Sequence, residues 1–313
     1  LITSEGSAFS FDDDGPTLTV DAHEGAQSLL ATVLDETVGP DRYNGSEPQD
    51  GGPDDDVNTN DGSILARTIT TVEGGLTNLF TVGGDAGSDG ERDTSGTLSF
   101  VGVPEGGLAT NLSATDGGEI TLFLVNGAIV GRDATGDSVF TIEIVYKNGY
   151  PQLQTTLYEA VQHSDENLFD SEAVLQLAGD GAVKLQYEVT RIDGDGDSIT
   201  RSATVDLITA DRSAFTFDDD GPMVTDKRAI RQTVDEDDID TPLSTGTSPN
   251  DGNHDGSYTE NPNDNNSGPA TVTGSLAGFV DFGSDGKGGF SISDQAVGYF
   301  NGLGLSSKGT DLD

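Results

Sequence analysis

The string Ser7-Ala8-Phe9-Ser10-Phe11-Asp12-Asp13-Asp14-Gly15-Pro16 returns as Ser213-Ala214-Phe215-Thr216-Phe217-Asp218-Asp219-Asp220-Gly221-Pro222, identical at nine of ten positions. The two copies lie 206 residues apart, a period too long for one turn of a solenoid. Whole domains in tandem are the remaining reading. It predicts a complete repeat over 1–212 and a partial second repeat over 213–313. Further landmarks follow in step. Val234-Asp235-Glu236 matches Leu34-Asp35-Glu36, and Gly283-Ser284-Asp285-Gly286 matches Gly87-Ser88-Asp89-Gly90. No counterpart exists for the segment from Glu119 to Leu207, so the second copy reads as truncated or split.

Charge limits what the chain can do. Asp and Glu number 56 against 14 Lys and Arg, for a formal net charge of −42. Repulsion on that scale opposes compaction and disfavours nucleic acid or an anionic membrane as partner. A folded chain of this kind calls for cations. There are no cysteines, which excludes disulfides and thiolate metal sites. No apolar run approaches the roughly 18 residues of a membrane span, so membrane insertion is not expected. No signal peptide opens the chain, which reads as an excised fragment.

Strand signals recur where helix signals are scarce. Ile120–Val125, Val139–Tyr146, Val183–Thr190 and Ser202–Leu207 alternate apolar with polar residues, the pattern of strands with one buried face. Thr17–Val20, Ile64–Thr70 and Thr97–Val101 read the same way. Asn126-Gly127 and Asn148-Gly149 between such runs are hairpin signals. Many short strands without intervening helices predict all-β antiparallel sandwich domains in tandem. Two long acidic loops interrupt them, Asp35–Gly62 and Asp235–Asp264, each with nine acidic residues. Loops of that length are functional or disordered.

The carboxylates are spaced for hard cations. Asp193-Gly194-Asp195-Gly196-Asp197-Ser198 places alternate Asp residues around glycines, so one loop can wrap an ion with several oxygens. Ca²⁺ takes six to eight oxygen ligands and tolerates irregular geometry. An EF-hand would need Gly and Glu where Ser198 and Thr204 stand, so the expectation is a Ca²⁺ loop between strands. Asp12, Asp13 and Asp14, with Asp218, Asp219 and Asp220, form two triplets that repel unless an ion sits among them. Asp35-Glu36 and Asp235-Glu236 are further candidate ligands at strand ends, and Asp85, Asp89 and Asp93 are weaker ones. Asp54, Asp55 and Asp56 are candidates for a cation that also meets a ligand. Several Ca²⁺ ions are therefore expected. No catalytic constellation emerges. His23, His163 and His254 lie in unrelated contexts, and Gly136-Asp137-Ser138 lacks a nucleophile elbow.

Together these segments resemble the long repeats of type I-secreted RTX adhesins, calcium-dependent surface proteins of Gram-negative bacteria. The resemblance rests on Phe11–Pro16 and its second copy, Leu34-Asp35-Glu36, Thr156–His163, and Asp193–Ser198. It implies Ca²⁺-rigidified modules, export without an N-terminal signal, and an extracellular or cell-surface location. It also implies adhesion to peptide, protein or carbohydrate on a target cell or surface, with neighbouring repeats as partners. A length near twice that of a simple sandwich points to a ligand-binding module, and a spacer that projects another binder is the alternative.

Overall fold

A computed structural model describes residues 2–3, 6–9, 12–37, 64–163, 171–219, 221–225, 275–276, 278–286, 288–289, 306–307 and 310–311. The candidate ligands Asp54, Asp55, Asp56, Asp220, Asp235 and Glu236 lie outside the described residues.

In chain order the strands are β1 (Ile2–Thr3), β2 (Gly6–Ser7), β3 (Thr19–Ala22), β4 (Thr32–Asp35), β5 (Ala66–Thr70), β6 (Phe80–Gly83) and β7 (Glu91–Val101). Next come β8 (Leu108–Ala114), β9 (Gly118–Val125), β10 (Ala128–Arg132), β11 (Ser138–Lys147) and β12 (Tyr150–Leu157). The later strands are β13 (Glu172–Val174), β14 (Ala182–Asp193), β15 (Ser198–Thr209), β16 (Phe215–Asp218), β17 (Met223–Val224), β18 (Val280–Asp281), β19 (Ser306–Ser307) and β20 (Thr310–Asp311). The only helical elements among the described residues are two short 3-10 turns, Ala26–Leu30 and Leu76–Leu79. The all-β expectation holds.

The largest sheet has the order β5-β12-β11-β10-β9-β8 and is antiparallel throughout. Its tight turns are the expected ones. Asn126 and Gly127 have φ of 52° and 86°, and Asn148 and Gly149 have 53° and 84°. Two consecutive left-handed residues make a type I′ turn, whose twist matches that of the strands it joins. A second sheet runs β15-β14-β7, and β3 pairs with β6. The third main sheet, β13-β16-β4, breaks the antiparallel expectation. β16 is antiparallel to β13 but parallel to β4, with Asp218 opposite Asp35. A parallel pair needs a long crossover, and here most of the repeat lies between the two strands.

One apolar cluster lies between these layers. The Phe140 and Phe217 rings, from β11 and β16, meet at 5.2 Å and 41°. Phe80 and Tyr187, from β6 and β14, meet at 5.4 Å. Each large apolar side chain so buried stabilises the fold by roughly 1.5–3 kcal/mol. One polar group inside is paired across strands. The Gln152 side chain accepts from the Val72 amide and donates to the Val72 carbonyl, which finishes the ladder where β5 ends.

The chain forms two compact units. One comprises Leu1–Gly221 with Phe282–Asp313, and the other Pro222–Asp281. The second unit contains the β17–β18 pair and the Thr225 amide bonded to the Phe279 carbonyl at 2.9 Å. In the first unit, the leading residues of the second repeated string form β16 at the centre of a sheet. The sequence repeat begins again at Ser213, yet the chain's next strand still belongs to the unit that came before.

Arg191 anchors the segment that follows the first repeated string. It lies on the inward face of β14, is 8% exposed, and donates from Nη1 to the Thr17 carbonyl at 2.8 Å. The same nitrogen reaches the Gly83 carbonyl, and Glu91 lies 3.9 Å from Nε. Arg191→Ala removes the side-chain donor to the Thr17 carbonyl and opens a cavity. We expect a loss of about 2–4 kcal/mol in urea unfolding, with Arg191→Lys recovering only part of it.

Candidate metal centre

Three segments converge at one end of the β14–β15 hairpin. The first is the strap Asp12–Pro16, which enters β3. The second is the turn Asp85–Gly90, which leads into β7. The third is the hairpin loop Asp193–Asp197. Backbone contacts fix their approach. A Cβ at Gly87 would lie 2.4 Å from the Asp14 carbonyl oxygen, and one at Gly194 would lie 2.2 Å from that of Asp89. Only glycine fits at either position. Ser88 donates from its amide (3.1 Å) and its hydroxyl (3.0 Å) to Asp14 Oδ2, and the Gly87 amide donates to Asp85 Oδ1.

The alternation of β14 then turns a carboxylate inward. Val189, Arg191 and Asp193 share the buried face, and Asp193 has no exposed surface. Its Oδ1 accepts from the Gly196 amide at 3.0 Å and the Asp197 amide at 2.8 Å. Its Oδ2 is buried and has no hydrogen-bond donor. Carboxylate oxygens of Asp193, Asp195 and Asp197 lie within 4.8 Å of one another, and so do those of Asp13, Asp89 and Asp195. Two oxygens bound to one Ca²⁺ at 2.3–2.6 Å are separated by no more than about 5 Å, so both sets are of coordination size. Asp195 belongs to both. No Lys or Arg among the described residues forms an ion pair with any of these five carboxylates.

Crowding shows in the acidities. Asp195 is held above the usual carboxylate range, first by the hydrogen bond it shares with Asp193, with the charges of Asp13 and Asp193 adding to it. Asp197 is raised first by a hydrogen bond shared with Asp13 and then by the charges of Asp13 and Asp193. Asp195 and Asp197 thus lie close enough to their acidic neighbours that charge on one disfavours charge on the next.

A second loop makes the comparison exact enough to be useful. Asp133-Ala134-Thr135-Gly136-Asp137-Ser138 joins β10 to β11 as Asp193–Ser198 joins β14 to β15. In each, the first Asp amide donates to the carbonyl of the fifth residue (3.1 and 3.0 Å), and Oδ1 accepts the amides of the fourth and fifth. The third position differs. Thr135 donates its hydroxyl to Asp133 at 2.9 Å and lies 3.1 Å from Asp137 Oδ2. Burial alone would raise the Asp133 carboxyl, but the Thr135 hydroxyl and three loop amides pull it below its ordinary range. That loop closes on itself. The Asp195 loop puts a third carboxylate where the hydroxyl would be and leaves Asp193 Oδ2 bare. Sequence reading passed over the Asp133 loop, although its Asp-x-x-Gly-Asp-Ser spacing was there to be matched.

The other candidate residues gather elsewhere. Asp35, Glu36, Asp218 and Asp219 meet through the parallel β4–β16 pairing, where the Glu36 amide donates to the Asp218 carbonyl at 3.1 Å. Asp35 Oδ1 accepts the Thr37 amide, and Ser284 donates to the Glu36 carbonyl. Glu36 Oε1 accepts the Val161 amide at 2.8 Å and lies 3.6 Å from His163 Nε2. Among the described residues, none of this group joins a three-ligand set of the size found at Asp195. Burial pushes the Glu36 carboxyl up to about 7, against the lowering effects of His163 and Val161. Burial would lower His163, but the hydrogen bond and charge of Glu36 raise it, with Asp219 and Asp285 adding. Asp12 is exposed on the strap, and Asp85 and Asp93 flank the turn without joining either carboxylate set.

Two outcomes follow. Asp195→Thr converts the loop to the self-closing type. Relief of the repulsion among the loop carboxylates raises the melting temperature of the calcium-free protein, and the same variant loses its response to added Ca²⁺ in scanning calorimetry. For Glu36 the folded pKa is raised, so its stabilising effect is complete below about pH 4.5 and is lost as pH rises through about 7. In calcium-free urea unfolding, Glu36→Gln shrinks the stability difference between pH 5 and pH 8 by about 2–3 kcal/mol.

No curated protein and no solved structure matches the chain. One family does, over residues 17–207, which run from before β3 to near the end of β15 and take in the whole of the Asp193 loop. That span is more than half of the chain, which belongs to the family described as a domain of unknown function, DUF5801.

Proposed function

We propose that this chain is a calcium-dependent module of a bacterial surface adhesin of the RTX type, acting outside the cell after type I secretion and binding rather than transforming its target. The buried, donorless Asp193 Oδ2 supports this most strongly. A carboxylate oxygen without a partner at zero exposure costs several kcal/mol unless a cation, or a proton shared with Asp195, meets it. Asp193, Asp195 and Asp197 would hold that ion, with Asp13 and Asp89 joining through Asp195. All five are hard oxygen donors, which suit Ca²⁺ over softer metals. The ion would tie the strap, the turn and the hairpin together, and so stiffen the end of the module where the repeated string enters. It supplies structure rather than reactivity.

Attachment needs a surface for a ligand. A groove of about 420 Å³ lies beside the Asn148-Gly149 hairpin, lined by Leu98, Asn126, Glu143, Ile144 and Tyr146. Tyr146 is 75% exposed and neighbouring Tyr150 is 53% exposed. Exposed aromatic faces beside amide and carboxylate groups suit a sugar ring or an extended peptide. The spacer reading also has an observation in its favour, since β16 carries the chain out of the first unit from the middle of a sheet. No described helix is long and apolar enough to cross a membrane.

Chelation tests the calcium part. A site filled to 100 times its dissociation constant stabilises by about 2.7 kcal/mol, so EDTA should lower the melting temperature steeply and excess Ca²⁺ should restore it. Glycan and peptide arrays test the adhesive part. Binding present in Ca²⁺, absent in EDTA and lost in Tyr146→Ala supports a ligand-binding module, whereas no hit in either condition supports the spacer.

A further inference from the structure

The two copies of the repeated string meet different surroundings. In the second copy, Phe215 and Phe217 have no exposed surface, and β16 is the middle strand between β13 and β4. The Ala214 carbonyl accepts the Thr32 amide, the Phe215 carbonyl accepts the Leu175 amide, and the Asp219 amide donates to the Ser171 carbonyl. In the first copy, Phe9, the counterpart of Phe215, is 64% exposed. The packing of the near-identical twin, central in a sheet with both phenylalanines buried, is therefore the packing that this string's sequence is suited to.

The partner's shape is set by the twin. Phe9 and Phe11 alternate as Phe215 and Phe217 do, so a strand presents both from one face. The single difference, Ser10 for Thr216, falls at a position whose twin lies on the less buried face of β16. Nothing in the groove that accepts Phe215–Asp218 would therefore distinguish the two strings. The first string also points the other way. Its Asp13 reaches the carboxylates of its own Asp195 loop, and its Asp14 takes the bonds from Ser88.

We propose that Ser7–Asp13 is a docking strand for a second copy of this unit. It inserts between that copy's β4 and β13 in the register of Ser213–Asp219, with the backbone of Asp12 beside the partner copy's Asp35. Successive units are thus joined by a shared strand: its phenylalanines complete the sheet of the unit before, and its aspartates close the loop cluster of the unit after. The inference stands on packing and register and does not depend on whether an ion is bound.

A fluorescent peptide spanning Ser7–Pro16 tests it against the full chain. In the wild type the groove is filled by Phe215–Asp218, and no binding is expected. In the Phe215→Ala/Phe217→Ala chain the strand is loosened, and saturable binding is expected, lost when Phe9 and Phe11 of the peptide are changed to Ala. A variant that takes a Ser213–Pro222 peptide but refuses Ser7–Pro16 overturns the proposal. A second measurement does not depend on that variant folding. In a chain with residues 7–212 duplicated ahead of Ser7, amides of the inner Phe9–Asp12 should exchange on the order of 100-fold more slowly than in the single-copy chain, as buried strand amides do. Equal exchange in the two chains contradicts the shared strand.

Discussion

Mutual repulsion among carboxylates is the constraint around which this molecule is arranged. Five aspartates from three separate segments converge at the end of the β14–β15 hairpin, and Asp193 among them has no contact with water. The backbone forces this meeting. Gly87 and Gly194 admit the carbonyls of Asp14 and Asp89 at distances no side chain would allow. The segments cannot relax apart without giving up the Arg191 anchor and the strap's bonds to Ser88 and Asp85. The fold therefore concentrates negative charge at a joint, where each carboxylate disfavours charge on its neighbours. The Asp133 loop shows the same backbone solved differently. One hydroxyl at Thr135 makes a neutral closure, and the place of Asp195 in the other loop sets the two apart.

The second consequence concerns where a unit ends. By sequence the module restarts at Ser213; by packing it is complete only when Phe215 and Phe217 are in place. The matched family span stops at residue 207, before that strand. A fold whose middle strand is contributed from beyond its own repeat passes tension through a sheet hydrogen-bonded on both sides rather than through a flexible linker.

Much of this was legible from the residues. Alternating runs gave the long strands, and Asn126-Gly127 and Asn148-Gly149 gave their turns, because a type I′ turn needs two left-handed residues. The Asp193 loop announced itself by its spacing. The parallel β4–β16 pair was not legible, since parallel pairing across most of a repeat leaves no local signature. For the same reason Glu36 and His163, which are buried together, looked unrelated. Asp89 was one weak candidate among several until the close approach of Gly194 placed it against the loop. The Asp133 loop was missed because Thr135 removes the charge pattern that draws attention while the backbone motif remains.

Crystals grown with Mn²⁺ or Ca²⁺ and measured for anomalous scattering test the central claim most directly. An ion should stand within about 2.6 Å of Asp193 Oδ2, with oxygens of Asp195 and Asp197 in its shell. If saturating metal leaves that oxygen bonded only to water or to a protonated neighbour, the carboxylates are not a cation site, and the account of how this acidic chain holds together is wrong.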